Sequence, residues 1–373
     1  MRVANVLHLG IKELRGLARD PILLGMIAFV FTVVIYSAAK ALPDNLHKAS
    51  IAIVDQDRTQ VSERIADAFL MPFFQHPDVV GPAELDAGMD LGRYEFGVVI
   101  PPDFQKDLLG RRTPEVQLNI DATHMMQAFT GNRDVQMIIQ GEVQEFWQRY
   151  RTPLTVPVGL DLRSRFNPEL NKTWFGALTE LISEITMLSI ILTGAAVIRE
   201  REHGTIEHLL VMPVTPLEIM VSKVWAMALV VLIVAPCSLL FVIQGVLGVP
   251  IQGSIALFVA GTALFVFSTT SLGILMATFA RSMPQFGLLM LLVITPLLIL
   301  SGAYTPRESM PAFVQTIMLG APNTHFVMFM QTVLFRGAGL EAVWPQFAAL
   351  ALIGTVLFVI SLARFRRTLG SMA

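Results

Sequence analysis

The residues in this chain that could do chemistry are few, and the densest group lies between Ile198 and Pro213. There Arg199, Glu200, Arg201, Glu202, His203, Gly204, Thr205, Ile206, Glu207, His208, Leu209, Leu210, Val211 and Met212 follow one another between two long apolar runs. Ile206, Leu209, Leu210 and Pro213 fall at i, i+3, i+4 and i+7, so one helical face can rest on lipid or on neighbouring helices while Glu207 and His208 point away. The physical reading is a short helix lying on the membrane surface, where a motor could grip the chain. His203 and His208 are five apart and do not share a helix face, so they make a poor metal pair.

A second group is Glu180 and Glu184, at i and i+4 on one face of an apolar stretch. Counting about 1.5 Å per residue from Ile198 puts them roughly 27 and 21 Å from the inner boundary of a bilayer, in its outer leaflet. Carboxylates at that depth either face a cavity or partner, as substrate or gate contacts, or sit in water on a helix that protrudes beyond the lipid. The chain holds no G-x-x-x-x-G-K-[ST], H-E-x-x-H or G-x-S-x-G, so any ATP it uses must be hydrolysed by another chain. His47, His76 and His124 follow no metal-ligand spacing, and the single cysteine, Cys237, lies in an apolar run and reads as a small buried hydrophobe. No catalytic residue, cofactor or metal ligand is expected on this chain.

The elements that must position these groups are mostly membrane spans. Of 373 residues, 54% are hydrophobic and 15% charged, and the mean hydropathy is +0.61: too apolar for a soluble domain and long enough for several crossings. The net charge of −2 comes with no basic arm or stripe, which argues against nucleic acid as a partner. Six segments can cross about 30 Å of hydrocarbon: residues 21–42, 174–198, 219–247, 255–280, 284–302 and 346–363. Thr215, Pro216 and Glu218 form a capping box with proline at N1, Ser282 and Gln285 form another, and Pro345 opens the last span.

Lys and Arg in the short loops set the orientation. Arg2, Lys12, Arg15, Arg19, Arg199, Arg201, Lys223, Arg281, Arg364, Arg366 and Arg367 fall on one side, against Arg307 and Arg336 on the other. Both termini (residues 1–20 and 364–373), with the charged region 199–218, are therefore expected in the cytoplasm, and residues 43–173 and the loop 303–345 outside it. The first apolar run is longer than a signal h-region and reads as an uncleaved anchor. Before it, Val3, Val6, Leu7, Ile11, Leu14 and Leu17 keep helical spacing with Lys12, Arg15 and Arg19 on the polar side, the pattern of an interfacial helix.

Residues 43–173 alternate strand-like and helical pieces. Ile51 to Val54, Phe96 to Ile100, and the alternation of Val116, Leu118 and Ile120 read as strands; Val61 to Leu70 and Leu85 to Leu91 read as helices. Val135, Ile138, Ile139, Val143, Phe146, Trp147 and Tyr150 mark one stripe of a long helix. The expected fold class is an α-helical polytopic membrane protein of six transmembrane helices, with an inserted extracytoplasmic α/β domain between the first two. Within the loop 303–345, Phe313 to Leu319 and Phe326 to Phe335 are too short to span and read as helices at the outer mouth, as plugs or gates.

The charged run from Arg199 to Leu210, with Pro213, Pro216, Glu218 and Lys223, resembles the signature of ABC-2-type exporter permeases. It is joined by Val99-Ile100-Pro101-Pro102-Asp103-Phe104, by Phe166-Asn167-Pro168-Glu169-Leu170, and by Ser301-Gly302 through Thr305-Pro306-Arg307-Glu308-Ser309-Met310-Pro311. These cover essentially the whole chain in order, and the likeness is greatest to members with a large periplasmic loop, found in Gram-negative inner membranes. The resemblance implies a dimer, homo- or heteromeric, of six-helix subunits. It implies cytosolic ATPase subunits that carry ATP and Mg, export of drug-like or lipid-like hydrophobic compounds, and a periplasmic adaptor protein. It further implies that Arg199, Glu200, Arg201, Glu202, His203, Gly204, Thr205, Glu207, Leu210 and Pro213 belong to the coupling helix that seats in the ATPase, and that Val3 to Arg19 form the elbow helix. One departure concerns the second span: many relatives enter it through an apolar Pro-Gly pair, whereas here Trp174, Phe175 and Gly176 lead to Glu180.

Two other classes fit less of the chain. A membrane-anchored sensor working through residues 43–173 would not need so many spans, and an intramembrane enzyme built on Glu180 and Glu184 lacks a nucleophile or metal partner.

Overall fold

In hydrocarbon a backbone must satisfy its own hydrogen bonds, so the apolar runs have little choice but to be helical. The computed structural model describes residues 2–41, 49–71, 73–110, 112–121, 125–150, 172–202, 214–305 and 307–370. It divides into two units, Met1–Leu42 with Ser164–Ala373, and Pro43–Arg163.

The first unit is helical. Helix α1 (Val3–Ala18) is followed by α2 (Pro21–Ala41), which Asp20 caps by accepting from the Leu23 N–H at 3.0 Å with Pro21 at the first helical position. In the second unit, described below, α3 to α6 and four strands intervene before α7 (Lys172–Glu202), α8 (Pro216–Val246), α9 (Ile255–Phe279), α10 (Met283–Ile299), α11 (Ala312–Met318), α12 (Pro322–Met330) and α13 (Leu340–Gly370). Among the described residues, five helices are long and apolar enough to cross a membrane: α2, α7, α8, α9 and α13. The 17-residue α10 stands where the fifth span was expected and is shorter, about 26 Å at the usual rise per residue.

Helix α7 is the hub, with 89% of its most apolar stretch buried against 17% for α13. Its buried hydroxyls mostly satisfy themselves: Thr186 Oγ1 donates to the Ile182 carbonyl at 2.7 Å and Ser183 Oγ to Thr179 at 3.0 Å. Others tie helices together. Ser189 Oγ reaches Thr269 Oγ1 at 2.6 Å, Asn323 Nδ2 donates to Thr186 Oγ1 at 3.0 Å, and Ser361 Oγ donates to the Ser271 carbonyl at 2.7 Å. Helices α7 and α9 approach closely because residue 273 is glycine: a Cβ there would stand 2.8 Å from the Ile190 carbonyl oxygen.

One end of this unit gathers Leu9, Ile198, Ile219, Ala280, Phe286 and Phe365 into a single apolar cluster, so α1 and the last part of α13 lie at the same end of the bundle as the end of α7 and the start of α8. Toward the other end, α12 is buried through Phe326 and Phe329, and Phe326 stacks on Phe265 at 3.9 Å.

The local punctuation differs from expectation in three places. Helix α7 runs four residues past Ile198, so Arg199–Glu202 form its last turn rather than the start of a separate element. Helix α13 starts at Leu340, leaving Pro345 inside it instead of at its head. Ser282 makes no side-chain cap; Gln285 Oε1 instead accepts from the Arg281 N–H at 2.8 Å, one residue further back than a capping box requires. The expected box at Thr215 and Glu218 is present with Pro216 at N1.

The second unit holds strands β1 (Ile51–Asp55), β2 (Asp78–Val79), β3 (Phe96–Ile100) and β4 (Gln117–Ile120), ordered β2-β1-β3-β4, with β1 parallel to β2 and β3, and β4 antiparallel to β3. Helices α3 (Gln60–Asp67), α4 (Pro82–Asp90), α5 (Phe104–Leu109) and α6 (Met125–Tyr150) complete it. Ile51 and Ile53 join Val61, Ile65, Phe74, Val135 and Phe146 in one cluster, while Ala52 and Val54 join Leu85 and Tyr94 in another. The sheet is thus covered on both faces, which is why β1 reads as a continuous apolar run rather than an alternation. Arg64 fastens α3 to α6 through Glu142 at 2.8 Å and Glu145 at 3.2 Å.

Candidate functional site

The charged turn that ends α7 is held by the chain itself. Lys223, on the second turn of α8 and 1% exposed, places its ammonium 2.8 Å from Glu13 Oε1 on α1 and 2.9 Å from Glu200 Oε2 on α7. An ammonium buried that deeply needs carboxylate partners, and here they come from two different helices. The other Glu200 oxygen lies 3.6 Å from Lys12 Nζ. Arg201 Nη1 donates to the Ala280 carbonyl, at the end of α9, at 2.6 Å. Glu202 Oε1 accepts from the Met283 N–H, at the start of α10, at 2.9 Å. One helical turn therefore touches α1, α8, α9 and α10.

The start of α8 is braced in the same manner. Glu218 Oε2 accepts from the Thr215 N–H at 2.8 Å as part of the capping box, and its other oxygen accepts from the backbone N–H of Arg2. Trp225 Nε1 donates to the Val6 carbonyl at 3.2 Å, and its ring lies on Gly10, where a Cβ would come within 2.1 Å of the indole. Only glycine lets α1 lie this close to α8. The end of α7 at Glu202 and the start of α8 at Pro216 are thus both braced.

Away from that end, Glu180 is partly exposed and Glu184 is 5% exposed. Water on a protruding helix therefore does not describe Glu184, which is enclosed by protein. Tyr304 Oη donates to Glu180 Oε2 at 3.1 Å and lies 3.1 Å from Ser183 Oγ, while Thr179 Oγ1 donates to the Ala303 carbonyl at 3.4 Å. Burial, and then the nearby carboxylates, hold the Tyr304 phenol above its ordinary range, so at neutral pH it is an O–H donor. The loop after α10 is thereby latched onto α7, and Gly302 makes the turn with φ of +99°, a conformation that favours glycine.

Of the residues expected to meet a motor, the structure places Arg199, Glu200, Arg201 and Glu202 together; Arg199 is exposed, and the other three bind neighbouring elements. His203, Gly204, Thr205, Glu207, Leu210 and Pro213 lie outside the described residues. Sequence reasoning missed Glu13 and Tyr304. A lone lysine in an apolar run was the available signal for the first, because it demands a partner. That partner stands 210 residues away, and no pattern names it.

A family model of ABC-2 family transporter proteins matches residues 22–363. The inner membrane transport permease YhhJ of Escherichia coli (strain K12) is 56% identical over 369 residues, which cover 99% of each chain. The probable multidrug ABC transporter permeases YbhR and YbhS of the same organism are each 28% identical. They cover 95% and 89% of the present chain, and 96% and 89% of their own.

Proposed function

We propose, for a chain that belongs to the ABC-2 family of transporter proteins, that it is the permease subunit of an ATP-driven exporter lodged in a bacterial inner membrane. Membrane transport by a multi-pass permease is the family's role; the finer assignments are ours. ATP and Mg belong to a separate cytosolic ATPase subunit. The cargo is a hydrophobic compound, drug-like or lipid-like, taken from the cytoplasm or the inner leaflet. The permease works as a homo- or heterodimer, with both termini cytoplasmic, residues 43–173 periplasmic and an adaptor protein beyond them.

The observation that carries the coupling is the bracing of the α7 end. The turn Arg199–Glu202, which leads in sequence into residues 203–213, is tied through Glu200, Arg201 and Glu202 to α1, α8, α9 and α10. A force applied to that segment is therefore delivered to four helices together instead of to one flexible loop. In this reading Arg199 and the segment from His203 to Pro213, with Glu207 at its centre, meet the ATPase. Glu200, Arg201, Glu202, Glu13 and Lys223 act as positioning residues that transmit the displacement. Glu180 and Glu184, with Tyr304 and Ser183, form a polar latch that opens for substrate at the outer end.

The test is purification in mild detergent followed by reconstitution. A P-loop ATPase should co-purify, and vesicles should move an apolar dye only with ATP. Glu207→Lys should abolish transport while the permease still elutes as a folded species. Unchanged transport in Glu207→Lys vesicles would remove the coupling assignment, and absence of any ATP-dependent movement would remove the exporter reading.

A further inference from the structure

A cavity of about 170 Å³ opens between α1, α2, α7 and α8. Leu17, Leu23, Leu192, Ala196 and Met227 form its apolar walls; Lys12, Glu13, Arg199 and Glu200 supply its charged groups. The two carboxylates both turn to the buried ammonium of Lys223, at 2.8 and 2.9 Å. Lys12, with its side chain 59% exposed and its ammonium 3.6 Å from the other Glu200 oxygen, and the exposed Arg199 are the cations at the mouth.

The faces of α1 fix the surroundings of this cavity. Val6, Gly10 and Leu17 are buried, and Val6 and Gly10 meet Trp225 on α8. Val3, Leu7 and Ile11, at i, i+4 and i+8, form an apolar stripe left exposed at 63%, 49% and 38%, which is the face an interfacial helix sinks into lipid. Lys12, Arg15 and Arg19, at i, i+3 and i+7, make a third, cationic face. The cavity lies between the cationic face and the buried one. A group entering it therefore meets the Lys12 and Arg199 cations first and the apolar side chains of Leu17, Leu23, Leu192 and Met227 beneath. Basic pockets between helices at a membrane surface are suited to acidic headgroups.

From this arrangement we infer that the cavity is a binding site for one acidic phospholipid of the leaflet on which α1 rests, its phosphate at Lys12 and Arg199 and its first methylenes against Leu17, Leu23, Leu192 and Met227. The lipid would brace the same α1–α7–α8 junction that the Lys223 ion pairs hold. The inference requires only that α1 lies at the membrane surface, and it is independent of the export reading.

The experiment is native mass spectrometry of the purified full-length chain, without nucleotide, titrated separately with phosphatidylglycerol, phosphatidylcholine and inorganic phosphate. The wild type should retain one phosphatidylglycerol per chain. Lys12→Ala should bind it about fivefold more weakly and Lys12→Glu about 25-fold, the size of one and two unit charges near a surface. Ala196→Phe should fill the cavity and abolish retention, whereas Lys40→Ala, on the exposed far end of α2, should retain it as well as the wild type. Because Lys12 is largely exposed, its variants keep the test valid if Ala196→Phe does not fold. Equal retention by wild type and Lys12→Glu would overturn the site. Equal binding of phosphatidylcholine, or displacement by inorganic phosphate at the concentration of the lipid itself, would overturn the assignment to an acidic lipid.

Discussion

Lys223→Met removes the one cation that the Glu13 and Glu200 carboxylates share while keeping the length of the side chain. Removing one partner of a buried ion pair costs about 3–5 kcal/mol, because a charge is left behind without compensation. Here the lysine is 1% exposed, but the side chains of Glu13 and Glu200 keep 16% and 14%. A small movement rehydrates them, which places the cost at the lower end, about 3 kcal/mol. For a helical unit of this size that corresponds to a fall of about 6–12 °C in melting temperature. The assay is thermal unfolding in detergent followed by size-exclusion fluorescence, run at low and high salt; burial should leave the difference nearly unchanged by salt. The decisive comparison adds Glu13→Gln and Glu200→Gln to Lys223→Met. With all three charges gone no carboxylate remains that has lost its buried cation, so the triple variant should recover most of the loss. If Lys223→Met melts within about 1 °C of the wild type, or if the three losses simply add, the three groups do not act as one brace and cannot transmit a displacement together.

Gly10→Leu should lift α1 from Trp225, lowering stability by about 1–3 kcal/mol and exposing the amino terminus to protease, and Trp225→Ala in the same chain should restore protection; a protected single variant would refute the close contact. Tyr304→Phe should release the loop after α10 from Glu180, a hydrogen bond of about 1.5–3 kcal/mol if the acceptor is ionised, and should change transport without changing ATPase co-purification. Because the phenol is raised in the folded chain, its contribution to stability should be fully present below pH about 10 and be lost as pH rises through the higher folded value. A wild type and a Tyr304→Phe variant that lose stability identically above that pH would contradict this.

Much of the helical architecture was legible because about 20 apolar residues in sequence have few alternatives to a span. The ends were less legible, each for a physical reason. Arg199–Glu202 read as a break because charges rarely lie inside a span, yet the turn stays helical since Lys223, the Ala280 carbonyl and the Met283 N–H satisfy it. Pro345 read as a helix start because proline suits the first turn, but α13 already begins at Leu340. Strand β2 holds only Asp78 and Val79, too short for any alternation to show. For Glu180 and Glu184, helical spacing placed both on one face, and the enclosure of Glu184 followed only from how α7 is surrounded.

Residue order along the chain is enough for the apolar helices, the capping box at Thr215, the amphipathic amino-terminal helix and the lack of a P-loop, since these rest on periodicity, local hydrogen bonds and the presence or absence of a motif. The family signature likewise resides in the order of residues along the chain. Only the tertiary structure decided that Glu200, Arg201 and Glu202 are bound to neighbouring helices, that Lys223 joins Glu13 to Glu200, and that Tyr304 meets Glu180. A buried charge specifies that a partner must exist; which residue supplies it is settled by how helices far apart in the chain come to lie side by side.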